Sequence, residues 1–226
     1  MTTTPAPEDL AGLIDHTVLK PDTDEATVRR VIAEAVEHHL AAVCINPKWV
    51  ALTAAELADT GVKTCTVVGF PLGATTTAQK VAETREAVDA GAQEIDMVVD
   101  IADANAGAAE AVTAQIAAVV AAAHAGGAIV KVILETVLLD RPAKELVCQA
   151  ALQAEADFVK TSTGFAGGGA TVADIELMHA AVGSRLGIKA SGGVRSYQDA
   201  VAMVRAGATR IGASASLDIV GASTAG

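Results

Sequence analysis

The feature that most constrains this 226-residue chain is an alternation of short β-branched segments with longer segments of helical period. The alternation occurs eight times, and each strand candidate precedes a helix candidate. Eight consecutive units of this kind favour a closed barrel over an open doubly wound sheet. We therefore predict an α/β fold, a single-domain (β/α)8 TIM barrel. The predicted strands are Leu13–Leu19, Ala41–Asn46, Lys63–Phe70, Glu94–Val99, Ile129–Thr136, Asp157–Thr163, Leu186–Ser191 and Thr209–Ser214.

Helix-start signals and chain length set the limits of the predicted domain. Asp24 precedes the first helix candidate, Asp140 precedes the fifth, and capping-box spacings begin at Thr171 and Ser196. A barrel of this length leaves little room for a second domain. We expect an N-terminal extension over residues 1–12, the barrel over residues 13–220 and a flexible tail over residues 221–226.

Composition limits the classes of partner and the cellular compartment. The net charge of -11 argues against nucleic acid or an anionic membrane as the main partner, so any anion must bind in a local pocket. The three cysteines, Cys44, Cys65 and Cys148, lack CxxC spacing and lie in apolar surroundings, which disfavours a disulfide framework or a zinc site. The first eight residues lack the pattern of a signal peptide. We expect a cytoplasmic protein.

Two lysines stand at equivalent places in strand candidates. Lys160 and Lys189 each follow an apolar run and precede a glycine turn. A lysine near a strand end can simply extend its ammonium group into water while its stem packs on apolar neighbours. Lysine is nevertheless rarely buried without a role, and the pair favours amine chemistry beside a phosphate site.

Strand alternation predicts which side chains point into the barrel, because residues two apart share a face. Ionisable and polar residues recur on one face of five strands, and such a set is expensive as mere filling. For Glu135 and Asn46 we favour a structural hydrogen-bond network, and for Cys44 a small core hydrophobe. The predicted inward sets are Asp15 and Thr17; Cys44 and Asn46; Glu94, Asp96 and Val98; Lys131, Ile133 and Glu135; and Phe158, Lys160 and Ser162.

A lysine attacks a carbonyl only when it is neutral, and the ordinary lysine pKa is about 10.4. The site must therefore disfavour the ammonium form of its nucleophile. A second ammonium about 5 Å away supplies about 3 kcal/mol at an effective dielectric of about 20. Lys189 can provide that charge. Asp96 opposes the effect if it pairs with Lys160, and its useful place is beside Lys189 or a water, where it can move protons.

Three glycine clusters follow the last three predicted strands. Gly164 with Gly167–Gly169 follows the sixth strand, Gly192 with Gly193 follows the seventh, and Gly212 with Ser214 stands at the end of the eighth. Each cluster alone is explained equally well by a tight turn. Together they can present backbone N–H groups to an anion, and barrels often bind phosphate at these loops.

Seven ordered motifs make the chain resemble the class I, Schiff-base-forming deoxyribose-phosphate aldolase family, over about residues 13–217. Members of this family are carbon-carbon lyases. The motifs are Ile14-Asp15-His16-Thr17, Val43-Cys44-Ile45-Asn46-Pro47, Val68-Gly69-Phe70-Pro71-Leu72-Gly73, Glu94-Ile95-Asp96-Met97-Val98, Lys131-Val132-Ile133-Leu134-Glu135-Thr136, Val159-Lys160-Thr161-Ser162-Thr163-Gly164 and Ile188-Lys189-Ala190-Ser191-Gly192-Gly193-Val194-Arg195.

The resemblance implies reversible cleavage of 2-deoxy-D-ribose 5-phosphate to acetaldehyde and D-glyceraldehyde 3-phosphate, a step of deoxynucleoside catabolism, with no metal and no organic cofactor. It implies that Lys160 forms the Schiff base, that Lys189 keeps Lys160 nucleophilic and that Asp96 relays protons. The implied substrate-pocket residues are Asp15, Thr17, Cys44, Lys131 and Thr163. The implied phosphate-binding residues are Gly164, Gly192, Gly193, Arg195, Gly212 and Ser214.

Three departures from the family pattern concern the phosphate site and the protonation step. Ala215 follows Ser214 where some members carry another hydroxyl residue, and Phe165 stands where some members carry a basic residue. The C-terminal tyrosine of some members is missing, since the chain's one tyrosine is Tyr197.

Three other functions stay open at this point. A phosphosugar isomerase shares the glycines but leaves the two lysines unexplained. Another Schiff-base aldolase or a transaldolase keeps the lysine and changes the substrate. A non-catalytic sugar-phosphate-binding barrel binds ligand without forming an adduct, and fold alone decides among none of these. We also expect a homodimer.

Overall fold

The computed structural model describes residues 7–221. Its eight strands are parallel and pair in chain order, and β1 pairs with β8 to close the sheet. The prediction of a (β/α)8 barrel is therefore confirmed. The strands are β1 (Ile14–Val18), β2 (Ala42–Ile45), β3 (Lys63–Val68), β4 (Glu94–Val98), β5 (Ile129–Ile133), β6 (Phe158–Lys160), β7 (Gly187–Ser191) and β8 (Arg210–Ala213).

Helices connect successive strands and pack around the barrel. None of the described helices has the length and apolar composition needed to cross a lipid bilayer. Short 3-10 helices cover Pro47–Trp49 and Thr136–Leu138. The α-helices are α1 (Pro7–Ala11), α2 (Glu25–Glu37), α3 (Val50–Glu56), α4 (Thr77–Asp89), α5 (Ile101–Asn105), α6 (Ala109–Ala125), α7 (Arg141–Gln153), α8 (Val172–Val182), α9 (Tyr197–Ala206) and α10 (Ser216–Ile219).

The two ends of the chain bear on the predicted domain limits. Residues 7–11 of the predicted N-terminal extension form α1, and Leu10 is buried in the core. Of the predicted tail, residues 222–226 lie outside the described residues. The division at residues 13 and 220 stays a prediction.

Side chains cap the helix starts that the sequence marks. Asp24 accepts a hydrogen bond from the backbone N–H of Thr27, and Ser196 forms a full capping box with Asp199. Asp140 caps α7 in the same way as Asp24 caps α2. Thr171 caps α8, but the carboxylate of its box partner bonds to the Thr171 hydroxyl. Each such cap contributes about 1 kcal/mol to helix stability.

Alternation along the strands separates an outer core from the barrel interior. Outward side chains such as Val43, Ile95 and Val132 are fully buried in the large core formed with the helices. Inside the barrel, the side formed by β2 and β3 is apolar, with Cys44 and Cys65 in one small cluster. The charged residues of the interior come from β4 to β8 and from β1. The polar set is thus concentrated on one side of the barrel.

Strand β6 ends at Lys160, three residues before the predicted limit. Beyond Lys160 the backbone N–H of Thr163 donates to the carboxylate of Glu135, so a side chain replaces the expected strand partner. Glu135 itself lies beyond the end of β5 with a left-handed φ of 57°. Side-chain acceptors of this kind are not visible in a strand pattern, which explains the overextended prediction.

Candidate active site

Three lysine ammonium groups meet at the carboxylate of Asp96 inside the barrel. The Nζ atoms of Lys160 and Lys189 each donate to Oδ2 at 2.7 Å, and Nζ of Lys131 donates to Oδ1 at 2.7 Å. Strand register explains the convergence, since Asp96 pairs with Lys131 and Lys160 pairs with Lys189. The Nζ atoms of Lys160 and Lys189 are therefore separated by no more than twice 2.7 Å.

Two further carboxylates, Asp15 and Glu94, complete the charged cluster. Asp15 accepts from Lys189 and, at 2.6 Å, from Arg210. Glu94 lies 2.7 Å from Nζ of Lys131 and 3.2 Å from Nη1 of Arg210. Asp15, Glu94 and their three cationic partners come from five different strands, and all five side chains are buried or nearly so.

Counting charges distinguishes Lys160 from the other cations. Four cationic side chains, those of Lys131, Lys160, Lys189 and Arg210, face three carboxylates. Among the described residues, Lys160 pairs with one carboxylate, whereas each of the other three pairs with at least two. The cluster can therefore lose the proton of Lys160 with the smallest loss of ion pairing.

The pKa values of the surrounding groups keep the rest of the cluster ionised. Burial opposes ionisation of Asp96, but the three lysines outweigh it and hold the pKa of its carboxyl well below the ordinary value. Burial also opposes the charged form of Lys189, but the carboxylates of Asp15 and Asp96 raise its pKa. The pKa of Lys131 is raised well above its ordinary value, because Asp96 and other anionic neighbours outweigh burial. Lys160 thus stands beside permanent charges.

The interior also contains atoms that could bind a metal ion. Sγ of Cys65 lies within 4.8 Å of carboxylate oxygens of Asp15 and Glu94, and it forms a second such group with Cys44 and Asp96. Nζ of Lys131 already contacts Cys65 at 3.2 Å and donates to Asp96. A cation at this place would have to displace an ammonium group. We assign no metal to the cluster.

A cavity of about 890 Å³ opens where the strands end, beside β1 and the loops after β6, β7 and β8. The catalytic candidates Lys160, Lys189 and Asp96 are buried and are not among the residues that line it. Gly212 lies between the cavity and the buried lysines, because a Cβ atom there would lie 2.9 Å from Cε of Lys189. All six predicted phosphate-binding residues line this cavity, namely Gly164, Gly192, Gly193, Arg195, Gly212 and Ser214.

Some of the predicted substrate-pocket residues line the cavity, and others are buried inside the barrel. Thr17 and Thr163 line the cavity. Asp15 and Lys131 belong to the buried cluster, and Cys44 lies in the apolar half of the interior. Asn46, predicted on the inward face, is half-buried and donates to the carbonyl of the Lys20 backbone. The predicted substrate-pocket residues are therefore shared among the open cavity, the buried ionic cluster and the apolar half of the interior.

Glu94, Arg210 and Cys65 belong to the cluster but were not among the predicted site residues. Glu94 was placed on the correct face by alternation. Arg210 could have been found by the same rule, because it lies two residues before Gly212 on β8. Cys65 gives no comparable signal, since a buried cysteine usually packs as a small hydrophobe.

Comparison with known proteins extends over nearly the whole chain. Residues 10–224 match the family model described as DeoC/LacD family aldolase. A deoxyribose-phosphate aldolase from Micrococcus luteus is 56% identical over 98% of this chain and 99% of its own length. The Bacillus subtilis protein of the same name is 54% identical, over 93% of this chain and 94% of its own.

Solved structures give the same result for the fold. A putative deoxyribose-phosphate aldolase from Coccidioides immitis superposes with a TM-score of 0.94 at 39% identity, covering 99% of this chain and 88% of that one. The tetrameric deoxyribose phosphate aldolase from Aeropyrum pernix superposes with a TM-score of 0.90 at 36% identity, covering 97% of this chain and 93% of that one.

Proposed function

The chain belongs to the DeoC/LacD family of aldolases, and we propose that it uses Lys160 as a Schiff-base nucleophile to cleave 2-deoxy-D-ribose 5-phosphate. It is an aldehyde-lyase, as its relatives are. The products are acetaldehyde and D-glyceraldehyde 3-phosphate. The observation that carries the assignment of Lys160 is its single carboxylate partner within a cluster that holds one more cation than anions.

The proposed reaction begins at that amine. Neutral Lys160 attacks C1 of the open-chain aldehyde, and loss of water from the carbinolamine leaves a protonated imine. The imine draws electrons as the C2–C3 bond breaks, while the C3 hydroxyl gives up its proton and becomes the aldehyde of the three-carbon product. The remaining enamine takes a proton at C2, and hydrolysis then releases acetaldehyde and restores the amine.

Asp96 and Lys189 are proposed to organise the proton transfers. Asp96 stays a carboxylate through the cycle because its pKa is held low, so its task is to orient Lys189 and a water beside the reacting carbons. Lys189 also supplies the positive charge that disfavours a second ammonium at Lys160. Asp15 and Lys131 hold these two groups in place from below.

The phosphate is proposed to bind in the cavity above the cluster. Glycine backbones at its rim can present N–H groups, and Arg195 adds a guanidinium. Gly192 and Gly193 adopt positive φ values of 85° and 79°, a conformation that suits glycine and exposes the backbone. Phe165 and Ala215 line the same cavity where some relatives carry more polar residues, so glycine amides and Arg195 take a larger share of the binding.

Borohydride trapping tests this function. The protein is reduced in the presence of acetaldehyde or deoxyribose 5-phosphate, and modified peptides are mapped by mass. We expect a two-carbon adduct on Lys160 after acetaldehyde, no turnover in Lys160→Ala, and an unmodified Lys189 in the wild type. An adduct on another lysine, or near-normal turnover by Lys160→Ala, contradicts the mechanism. Absence of any ligand-dependent adduct instead favours an isomerase or a non-catalytic barrel.

We also propose a cytoplasmic location and a homodimeric assembly. All three cysteines are buried and free, as suits a reducing compartment. The Aeropyrum pernix structure is described as tetrameric, so self-association occurs among similar chains. Sedimentation velocity on the full chain distinguishes a dimer from a monomer or a tetramer.

A further inference from the structure

Glu135 contacts a substrate-pocket residue, and within residues 7–221 it forms no ion pair with a cationic side chain. Its Oε2 atom accepts the hydroxyl proton of Thr163 and, at 3.1 Å, the backbone N–H of the same residue. Its other oxygen, Oε1, is buried without a hydrogen-bond partner among the described residues. A carboxylate kept only for stability is usually paired with a cation, because burying an uncompensated charge is costly. Both of these hydrogen bonds go to Thr163.

The backbone holds Glu135 in place on both sides. The N–H of Leu134 donates to the carbonyl of Lys160 at 2.9 Å, and the N–H of Thr136 donates to the carbonyl of Thr161 at 3.0 Å. Glu135 itself has a left-handed φ of 57°, which is unfavourable for a residue with a Cβ atom. Such backbone strain persists only where the surroundings fix it, and it is often found at functional sites.

The hydrogen bonds around Thr163 determine what its hydroxyl can offer to a ligand. A threonine hydroxyl has one proton and two lone pairs. The proton goes to Glu135, and one lone pair accepts the backbone N–H of Phe165 at 3.1 Å. One lone pair is left, and Thr163 lines the cavity. Toward the cavity, Thr163 is therefore an acceptor only.

We propose that Glu135 is a positioning residue that makes Thr163 select substrates carrying a hydroxyl donor beside the phosphate. The inference rests on the proposed function. On that function Lys160 binds C1 and Gly164 lies at the phosphate rim. Thr163 lies between them in sequence and lines the cavity, so we place the C4 hydroxyl beside it. The C4 hydroxyl donates to the remaining lone pair of Thr163. A substrate with a carbonyl at C4 instead places its acceptor oxygen against the acceptor oxygen of Thr163.

Glu135→Gln tests the proposal, since it keeps the side-chain shape and replaces a carboxyl oxygen with an amide donor. A glutamine amide can donate to the Thr163 oxygen, which frees the hydroxyl proton to turn toward the cavity. Two rates are compared: kcat/KM for deoxyribose 5-phosphate, and deuterium exchange into the methyl group of acetaldehyde, which has no hydroxyl. We expect the ratio of the first rate to the second to fall by about tenfold.

Thr163→Val is the matched variant, because it removes the same hydroxyl with little change in volume. It should lower the same ratio, and the double variant should lower it no further, since both changes remove one interaction. Equal loss of both rates in Glu135→Gln, an unchanged ratio, or additive losses in the double variant overturn the proposal. Absence of acetaldehyde exchange in the wild type contradicts the Schiff-base function itself and is thereby distinguished.

A measurement on the wild type stands independently of the folding of these variants. A buried hydroxyl that donates to a carboxylate exchanges slowly with water, so the Thr163 hydroxyl proton should give a resolved, downfield proton NMR signal. Specific labelling of threonine assigns the signal. A Thr163 hydroxyl in fast exchange overturns the proposal.

Discussion

At the scale of single residues, the site uses one side-chain type for different purposes. Lys131 contacts three carboxylates and is held as a permanent cation, whereas Lys160 contacts one. The two Nζ atoms share the carboxylate of Asp96, one on each oxygen. The number of carboxylate partners therefore separates Lys160, the proposed nucleophile, from Lys131.

Removing one neighbouring charge should weaken the nucleophile. Lys189→Met leaves three cations facing three carboxylates and removes the positive charge that lies beside Lys160. We expect kcat/KM at neutral pH to fall by about tenfold or more, and its acidic limb to move to higher pH. The pH profile of kcat/KM measures both effects.

Lys189→Arg is the control, since it preserves the charge and changes the donor geometry. Its acidic limb should stay near that of the wild type even if kcat falls. A Lys189→Met profile that superposes on the wild type after scaling contradicts the electrostatic role.

Strand alternation was sufficient to place three site candidates on one face, and their catalytic roles stay a prediction. Lys160, Lys189 and Asp96 were identified from their positions in strands, and the structure brings them together. Asp96 was expected to be most useful beside Lys189, yet it also bonds to Lys160. Pairing of this kind depends on which rotamers meet across the barrel, and no sequence pattern contains it.

At the scale of elements, α4 forms hydrogen bonds with the ends of β3 and β4. Lys80 is fully buried, and its Nζ donates to the carbonyl of Val98 at 2.8 Å and to Oε1 of Gln115 at 3.0 Å. Glu83, one turn further along, accepts the backbone N–H of Gly69 at 2.7 Å. Val98 ends β4, the strand of Asp96, so α4 supports the carboxylate on which the lysines converge.

Lys80 gives the fold a specific dependence on pH. Burial lowers the pKa of Lys80 from 10.5 to about 8. Between these values the unfolded chain binds more protons than the folded one, so stability rises with pH across this window. The shift corresponds to a contribution of about 3 kcal/mol to the free energy of unfolding. This contribution is fully present by pH 10.5 and is absent below pH 8.

Urea unfolding of the wild type and of Lys80→Met across this window measures the contribution. We expect the free energy of unfolding of the wild type, minus that of the variant, to grow as pH rises from 8 to 10.5. Burial raises the pKa of Cys148 to about 12, which acts in the opposite direction. That effect is common to both proteins and cancels in the difference. A constant difference contradicts the lowered pKa of Lys80.

Element-level prediction was good for the existence of elements and weaker for their ends. All eight strands were predicted, because each is a compact β-branched run. The ends of β5 and β6 were placed too late, since the chain there leaves the sheet to let Glu135 bond to Thr163. A contact between two loops far apart in sequence ends these strands.

At the scale of the whole molecule, an anionic protein surrounds a site for an anionic substrate. The chain carries a net charge of -11. The cavity itself is lined by equal numbers of acidic and basic side chains: Lys20, Arg30 and Arg195 against Asp22, Glu34 and Asp218. The long-range field therefore repels a phosphate that only local contacts attract.

The dependence of KM on ionic strength should reveal this balance between long-range repulsion and local attraction of the phosphate. Raising ionic strength from about 0.01 M to about 0.15 M shortens the Debye length from about 30 Å to about 8 Å and screens the repulsion. We expect KM for deoxyribose 5-phosphate to fall by about twofold to threefold, whereas KM for unphosphorylated deoxyribose should not change. A KM for the phosphorylated substrate that rises with salt contradicts the prediction and indicates steering by the cavity.

The ion pair between Asp15 and Arg210 joins residues 195 positions apart. Strand β8 closes the barrel, so the cluster around Lys160 forms only after nearly the whole chain has emerged from the ribosome. Until then Lys189 lacks the contact with Asp15, and Asp15 lacks the contact with Arg210. A nascent chain, or a fragment left by a protease, thus carries the sequence of the proposed nucleophile without the charged surroundings that distinguish it.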